Sequence, residues 1–151
     1  MAKRYWLMKT EPETFSIDDL VRVKKEPWTG VRSHFAKFHM RAMKVGDGVL
    51  FYHSSCPEPG IAGLAEVASR PYPDATQFDA KSDYYDPKSP KDEPRWFNVD
   101  VRALKKTRLV PLAELRKHKA LAKMTILRPG NRLSITPVTP AEWRYITEKL
   151  V

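Results

Sequence analysis

The chain has 151 residues, of which 42% are hydrophobic and 11% aromatic, which suits one domain with a filled core. No apolar run approaches the roughly 18–20 residues that span a bilayer, and no signal-peptide apolar stretch follows the basic start Met1-Ala2-Lys3-Arg4, so a soluble, cytoplasmic protein with no membrane partner is expected. The formal net charge is +9, and the lone Cys56 excludes an internal disulfide or a cysteine-built metal site.

Tyr5-Trp6-Leu7-Met8-Lys9 is almost continuously apolar and predicts a central strand, closed by Glu11-Pro12. Ser16 caps a helix whose first turn carries Asp18 and Asp19, with Phe15 and Leu20 as a staple and Ile17, Leu20 and Val21 as its apolar face. Glu26-Pro27-Trp28-Thr29-Gly30 predicts a turn. Ser33 caps a second helix, with Phe35, Phe38 and Ala42 at inward spacing and Lys37, Arg41 and Lys44 outside. Gly46-Asp47-Gly48 then opens the strand Val49–His53.

Residues 54–60 predict a loop, and Ile61–Val67 a buried strand pairing back as a hairpin. Gly60 and Gly63 mark a bulge or a close backbone approach there. Pro71 to Pro94 is a long excursion without apolar periodicity. Loops of this length are functional or disordered, and Tyr72, Phe78, Tyr84 and Tyr85 argue against plain disorder. Trp96 to Leu104 alternates cleanly, with Phe97, Val99, Val101 and Ala103 on one face and Trp96, Asn98, Asp100 and Arg102 on the other. Short helical pieces follow at Pro111–Leu115 and Lys119–Lys123, then a strand over Leu133–Val138. Thr139-Pro140-Ala141-Glu142 is a capping box with Pro at the first helical position, and Trp143, Ile146 and Leu150 pack that helix inward. The reading is one α+β domain over 1–151, a curved mixed sheet or barrel of five to six strands surrounded by helices.

The charge is segregated. Arg22 to Lys44 holds seven Lys/Arg against one acid, and Arg102 to Arg132 holds ten against one. Such clustering predicts an electropositive face that tracks phosphates, with Lys37, Arg41, Lys44, Arg102, Lys105 and Lys106 as backbone contacts. The chemistry of catalysis is missing. There is no His-Glu-x-x-His, no Gly-x-Ser-x-Gly, no phosphate loop and no dinucleotide fingerprint. His34 and His39 fall on different helix faces, Asp79, Asp83 and Asp86 lack a calcium-loop spacing, and Cys56 has only His53 as a base. No metal, cofactor or catalytic residue is expected.

What remains is the combination of flat rings and short polar groups used by single-base readers. Trp6, Trp28, Trp96, Tyr84 and Tyr85 offer ring faces. Lys9, Thr10, Ser33, His53 and Ser54 offer edge hydrogen bonds. Trp6 and Trp143 belong to the core, leaving Trp28 as the best site aromatic. In Trp28-Thr29-Gly30-Val31-Arg32-Ser33 a Gly permits close approach, an Arg offers a fork of donors and a Ser caps a helix, which is the pattern of a small pocket at a helix start.

Several blocks carry a resemblance to a known family: Trp6-Leu7-Met8-Lys9-Thr10-Glu11-Pro12, Trp28-Thr29-Gly30-Val31-Arg32, Gly46 through Ser54, Pro59 through Val67, Tyr84-Tyr85-Asp86-Pro87-Lys88, Pro94-Arg95-Trp96 and Arg132-Leu133-Ser134. In this order they resemble the EVE domain family, a branch of the PUA-like fold with a likeness to YTH domains. The resemblance implies a nucleic-acid-binding module that reads one modified base of DNA or RNA, such as a modified cytosine, in an aromatic cage beside a basic surface. It places the site between the first strand and the Trp28 turn, with Trp28 as a cage ring, Lys9 and Thr10 at the backbone-binding end of that strand and His53 and Ser54 on the strand that walls the pocket. With the residues read above, the expected ligand set is Trp28, Lys9, Thr10, Gly30, Val31, Arg32, Ser33, His53, Ser54, Tyr84 and Trp96. The family often has Asn where this chain has Ser33, and Ala-Arg-Asn where it has Ala36-Lys37-Phe38. The alternative reading is a binder of a free nucleobase-like metabolite.

Overall fold

The computed structural model describes residues 3–151, so Met1 and Ala2 of the basic start lie outside the described residues. A six-stranded mixed sheet forms the centre. Its strands are β1 (Tyr5–Thr10), β2 (Lys25–Pro27), β3 (Gly48–His53), β4 (Gly60–Val67), β7 (Asp100–Pro111) and β8 (Ile135–Val138), in the order β2-β7-β4-β3-β1-β8. The sheet is open, with β2 and β8 at its edges. Among the described residues only β1 and β3 pair in parallel; the other ladders are antiparallel. A small ribbon of β5 (Tyr72–Pro73) and β6 (Phe97–Asn98) stands beside it.

Both faces of the sheet are covered, which explains the unbroken apolar run in β1. Trp6, Met8, Val49 and Phe51 point toward α1 (Ile17–Val23) and α2 (His34–Ala42). Leu7, Leu50, Tyr52 and Ile61 point the other way, toward α3 (Leu112–Leu115) and α4 (Pro140–Lys149). The helix starts form as their local sequence dictates. Ser16 with Asp19, and Thr139 with Glu142, close reciprocal capping boxes, and the Ser33 hydroxyl accepts from the Ala36 N–H. Each cap stabilises by about 1 kcal/mol.

The glycines of β4 do what their spacing suggests. The β3–β4 and β4–β7 registers shift beside Gly63. A side chain at Gly60 would clash with the Val110 carbonyl, and one at Gly63 with the Ile17 side chain.

Three expectations need correction. The inward stripe of α2 is Ala36 and Met40, continued by Met43, whereas Phe35 and Phe38 point to solvent. Two apolar stripes run along this helix, and the slimmer one lets the backbone sit close to the sheet. The Glu26–Gly30 turn begins with a short edge strand, since Lys25–Pro27 pairs with Asp100–Arg102; Pro27 is tolerated because an edge needs no donor there. The polar face expected of Asn98 and Trp96 is buried, because the 71–94 excursion folds over it.

That excursion is ordered around one side chain. Gln77 is fully buried; its amide donates to the Asp74 and Trp96 carbonyls at 2.7 and 2.8 Å, and its carbonyl accepts from the Ser89 hydroxyl and the Trp96 N–H. A single amide thus replaces the apolar periodicity that the sequence lacks.

Candidate functional site

A cleft of about 900 Å³ opens where five segments meet. The parallel pairing of β1 with β3 sets Thr10 beside His53, and the Ser54 N–H extends it by donating to the Thr10 carbonyl at 2.9 Å. From the other side the Lys9 N–H donates to the Ser134 carbonyl at 2.9 Å, drawing in residues 131–134. The Trp28 turn, the α2 cap and Tyr84 complete the walls. The Trp28 N–H donates to the Val99 carbonyl at 2.8 Å, and the Trp28 ring meets Phe51 edge-on at 5.6 Å. Trp28 is only 7% exposed, so it builds a wall and does not project as a platform.

Arg32 is the strut of this site. Its Nε–H and one Nη2–H donate to the Tyr84 carbonyl, the other Nη2–H to Thr76 Oγ1, and the two Nη1–H groups to the Val31 carbonyl and to Asp74 Oδ2. All five donors of the guanidinium are therefore committed inside the protein. Asp74, fully buried, also accepts from the Gly30 N–H at 2.8 Å and from Thr76. Burial by itself raises the Asp74 pKa; the hydrogen bonds from Thr76, Gly30 and Arg32 outweigh it and hold the carboxyl below its ordinary range. Gly30 has φ +85°, and a side chain there would strike the Tyr84 ring at 2.6 Å. The turn and the excursion are thus locked together, with Tyr84 laid over Gly30.

The cleft collects Trp28, Lys9, Thr10, Gly30, Val31, Arg32, Ser33, Ser54 and Tyr84 from the sequence-based set. His53 and Trp96 stand off it. His53 Nε2 accepts from the Ile17 N–H at 3.1 Å, which anchors the start of α1. Burial lowers the His53 pKa; Asp18 opposes this and Lys106 adds to it. Trp96 is buried, donates from Nε1 to Asp86 at 2.8 Å and stacks on His34 at 5.1 Å. No hydrogen bond joins His53 to Cys56 among the described residues, and His53 Nε2 is taken by the Ile17 N–H.

The chemistry of the lining is mixed. Phe15, Trp28 and Tyr84 supply apolar walls. Thr10 spends its hydroxyl proton on the Phe15 carbonyl and offers the cleft acceptor lone pairs. The Ser33 oxygen accepts from Ala36 N–H, leaving its proton to donate. Lys9 is half-buried with its pKa lowered by burial, and no carboxylate pairs with it among the described residues.

The basic residues divide. Arg102 is ion-paired with Glu66, and Lys106 with Asp18 at 2.7 Å. Lys37 and Arg41 lie over the rings of Trp96 and Phe97. Lys44 and Lys105 are exposed. Among the described residues no group of three or more His, Cys, Asp or Glu side chains is placed to hold a metal ion, and no helix is long and apolar enough to cross a membrane.

The sequence reasoning did not assign Thr14, Phe15, Glu26, Asn131 or Arg132 to the cleft. The only signal was the Pro129-Gly130-Asn131 turn before the Arg132-Leu133-Ser134 block, where Gly130 takes φ +72°. Nothing local says that this turn reaches β1, more than a hundred residues away.

Residues 4–149 match the model of the EVE domain. The chain belongs to the EVE family. Human thymocyte nuclear protein 1 is 43% identical to this EVE domain over 94% of the chain and 72% of its own length. A solved structure of a hypothetical protein from Leishmania major has a TM-score of 0.93 at 47% identity, covering 97% of this chain and 94% of that one. The crystal structure of human THYN1 in complex with DNA containing 5-methylcytosine has a TM-score of 0.90 at 41% identity, covering 97% of this EVE domain and 96% of that chain. The α+β fold expected from sequence is the fold of these relatives.

Proposed function

We propose that this EVE domain is a non-catalytic reader that takes one modified base of a nucleic acid into the Trp28 cleft. The observation that carries the reading is the lining itself. Three aromatic rings, the hydroxyls of Thr10 and Ser33 and the half-buried Lys9, which has no carboxylate partner among the described residues, line one cleft of about 900 Å³, ample for a whole nucleotide. Rings accept a flat heterocycle by stacking and edge contact, worth roughly 1–3 kcal/mol per base. The acceptor lone pairs of Thr10 and the free proton of Ser33 then select its edge. Lys9, with Arg132 at the rim, meets the phosphate that accompanies the base. The complex of human THYN1 with 5-methylcytosine DNA supports this use of the fold and makes a 5-methylated cytosine the first ligand to try. Arg32 contributes by holding the walls, since its donors are spent.

The test is a titration of DNA and RNA oligonucleotides, each with one cytosine or one 5-methylcytosine, at several salt concentrations. The methylated probe binds more tightly, and affinity falls with salt. Trp28→Phe, which keeps an aromatic in the wall, narrows the preference and leaves the salt slope alone. Binding indifferent to both base and salt would refute the proposal.

A further inference from the structure

Helix α2 carries two phenylalanines outward. Phe35 and Phe38 are 71% and 72% exposed, and three residues apart they share one helical face. The same helix buries Ala36 and Met40 against the body of the protein, so the outward pair is surplus to the core. Val45, 62% exposed, follows just beyond the helix. Two phenylalanines exposed more than any other large apolar side chain among the described residues, paired on one helix face, mark a contact site.

Its surroundings define the partner. From Val31 to Val45 the chain has no acidic residue; Arg32 is already paired with Asp74, Lys37 and Arg41 share a groove with Asp92 and Glu93, and Lys44 follows, so cations outnumber acids along this helix. Lys37 lies 5.3 Å from the Trp96 ring and Arg41 4.5 Å from the Phe97 ring, which holds both cations along the flank of the helix. The helix begins at Ser33, which lines the cleft. At about 1.5 Å of rise per residue, Phe35 and Phe38 lie roughly 3–8 Å along the axis from that cap. A separation of this size lets a base next to the one in the cleft reach the pair. A polynucleotide offers flat apolar faces and a negative charge at every unit, which this pattern complements.

We infer that Phe35 and Phe38 form a stacking platform for the bases that flank the one taken into the Trp28 cleft. The domain then grips a strand whose neighbouring bases are unstacked, either a single strand or an opened duplex. This rests on the base-reading role proposed above and adds to it a second binding element outside the cleft.

A double-mutant cycle between protein and nucleic acid tests it. The probes carry one 5-methylcytosine, with its neighbours intact or replaced by abasic residues, as single strands and as duplexes. They are titrated with the wild type and with the doubly substituted Phe35→Ala/Phe38→Ala protein. Both side chains are exposed, so the variant keeps the wild-type unfolding midpoint. It binds the intact probe at least about 10-fold more weakly, yet still prefers the methylated base. Abasic neighbours weaken the wild type by a similar factor and weaken the variant no further. The single-stranded and duplex arms show which form of strand supplies the bases. Losses that simply multiply, or a variant that binds as the wild type does, overturn the platform. So does a variant that loses only self-association or attachment to phosphatidylserine vesicles while its affinity for the oligonucleotide is unchanged. Coupling to flanking bases without preference for 5-methylcytosine removes the base-reading role alone; preference without coupling removes the platform alone.

Discussion

Arg32 Nη1 and Asp74 Oδ2 meet at 3.1 Å across 42 residues of sequence, with the Asp74 side chain fully buried. This pair ties the Trp28 turn to the 71–94 excursion and makes one rigid wall from two segments. Removing one partner of a buried pair leaves the other without compensation, which costs about 3 kcal/mol. Asp74→Ala is expected to lose about that much in chemical denaturation and to release the amides of residues 75–86 to hydrogen exchange. Asp18→Ala, which breaks an exposed pair with Lys106, should change stability by less than about 1 kcal/mol. Equal effects of the two substitutions would show that the Arg32–Asp74 strut does not organise the site.

Gly30 is required twice over. Its φ of +85° disfavours any side chain, and the Tyr84 ring fills the place a methyl group would take. Gly30→Ala is expected to destabilise by about 1–3 kcal/mol and to displace Tyr84, seen as a change in tyrosine fluorescence. Adding Tyr84→Ala restores the space but not the backbone preference, so the double variant recovers part of the loss. Full recovery would mean that the backbone conformation carries no cost.

His53 gives the protein a pH dependence of definite sign. The neutral imidazole accepts the Ile17 N–H, and burial keeps its folded pKa below the usual value near 6.5. The unfolded chain therefore binds a proton more readily than the native one. The stability due to neutral His53 is full above about pH 6.5 and drains as pH falls toward the folded pKa. His39, with its pKa also lowered by burial, contributes in the same window. Between pH 7.5 and 5.5 the wild type should lose stability, and His53→Gln, which keeps an acceptor without a titrating ring, should lose less. Identical losses would place the whole effect elsewhere.

Salt dependence separates the cations by their present partners. Lys9 has no carboxylate partner among the described residues and lines the cleft, whereas Lys106 is held by Asp18. Lys9→Ala should reduce the slope of log affinity against log salt by about 1, the signature of one lost phosphate contact. Lys106→Ala should leave the slope nearly unchanged, because its charge is already neutralised. The reverse order would move the phosphate path from the cleft to the β7 face.

Much of this molecule follows from neighbours in sequence. The caps at Ser16, Ser33 and Thr139 lie within three residues of the N–H groups they satisfy, so local chemistry reveals them. The apolar run of β1 announces a strand covered on both faces, and the β4 glycines announce their bulge. Trp28, Thr29 and Gly30, neighbours in sequence, line the cleft together. Other features depend on what the chain meets after folding. Arg32 reads as a free fork until Asp74, Thr76 and Tyr84 arrive to take four of its five donors, the fifth going to the neighbouring Val31 carbonyl. The excursion has no periodicity because one buried amide, Gln77, does the work of an apolar face. Both stripes of α2 are apolar in sequence, and Phe35 and Phe38 make the bulkier one; the space above the sheet admits Ala36 and Met40 and leaves Phe35 and Phe38 outside. Asn131 and Arg132 join Lys9 only through a sheet that pairs β8 with β1. Hydrogen bonds and close packing act over a few ångströms, so sequence alone displays them where the partners are also neighbours along the chain, and the tertiary structure decides the rest.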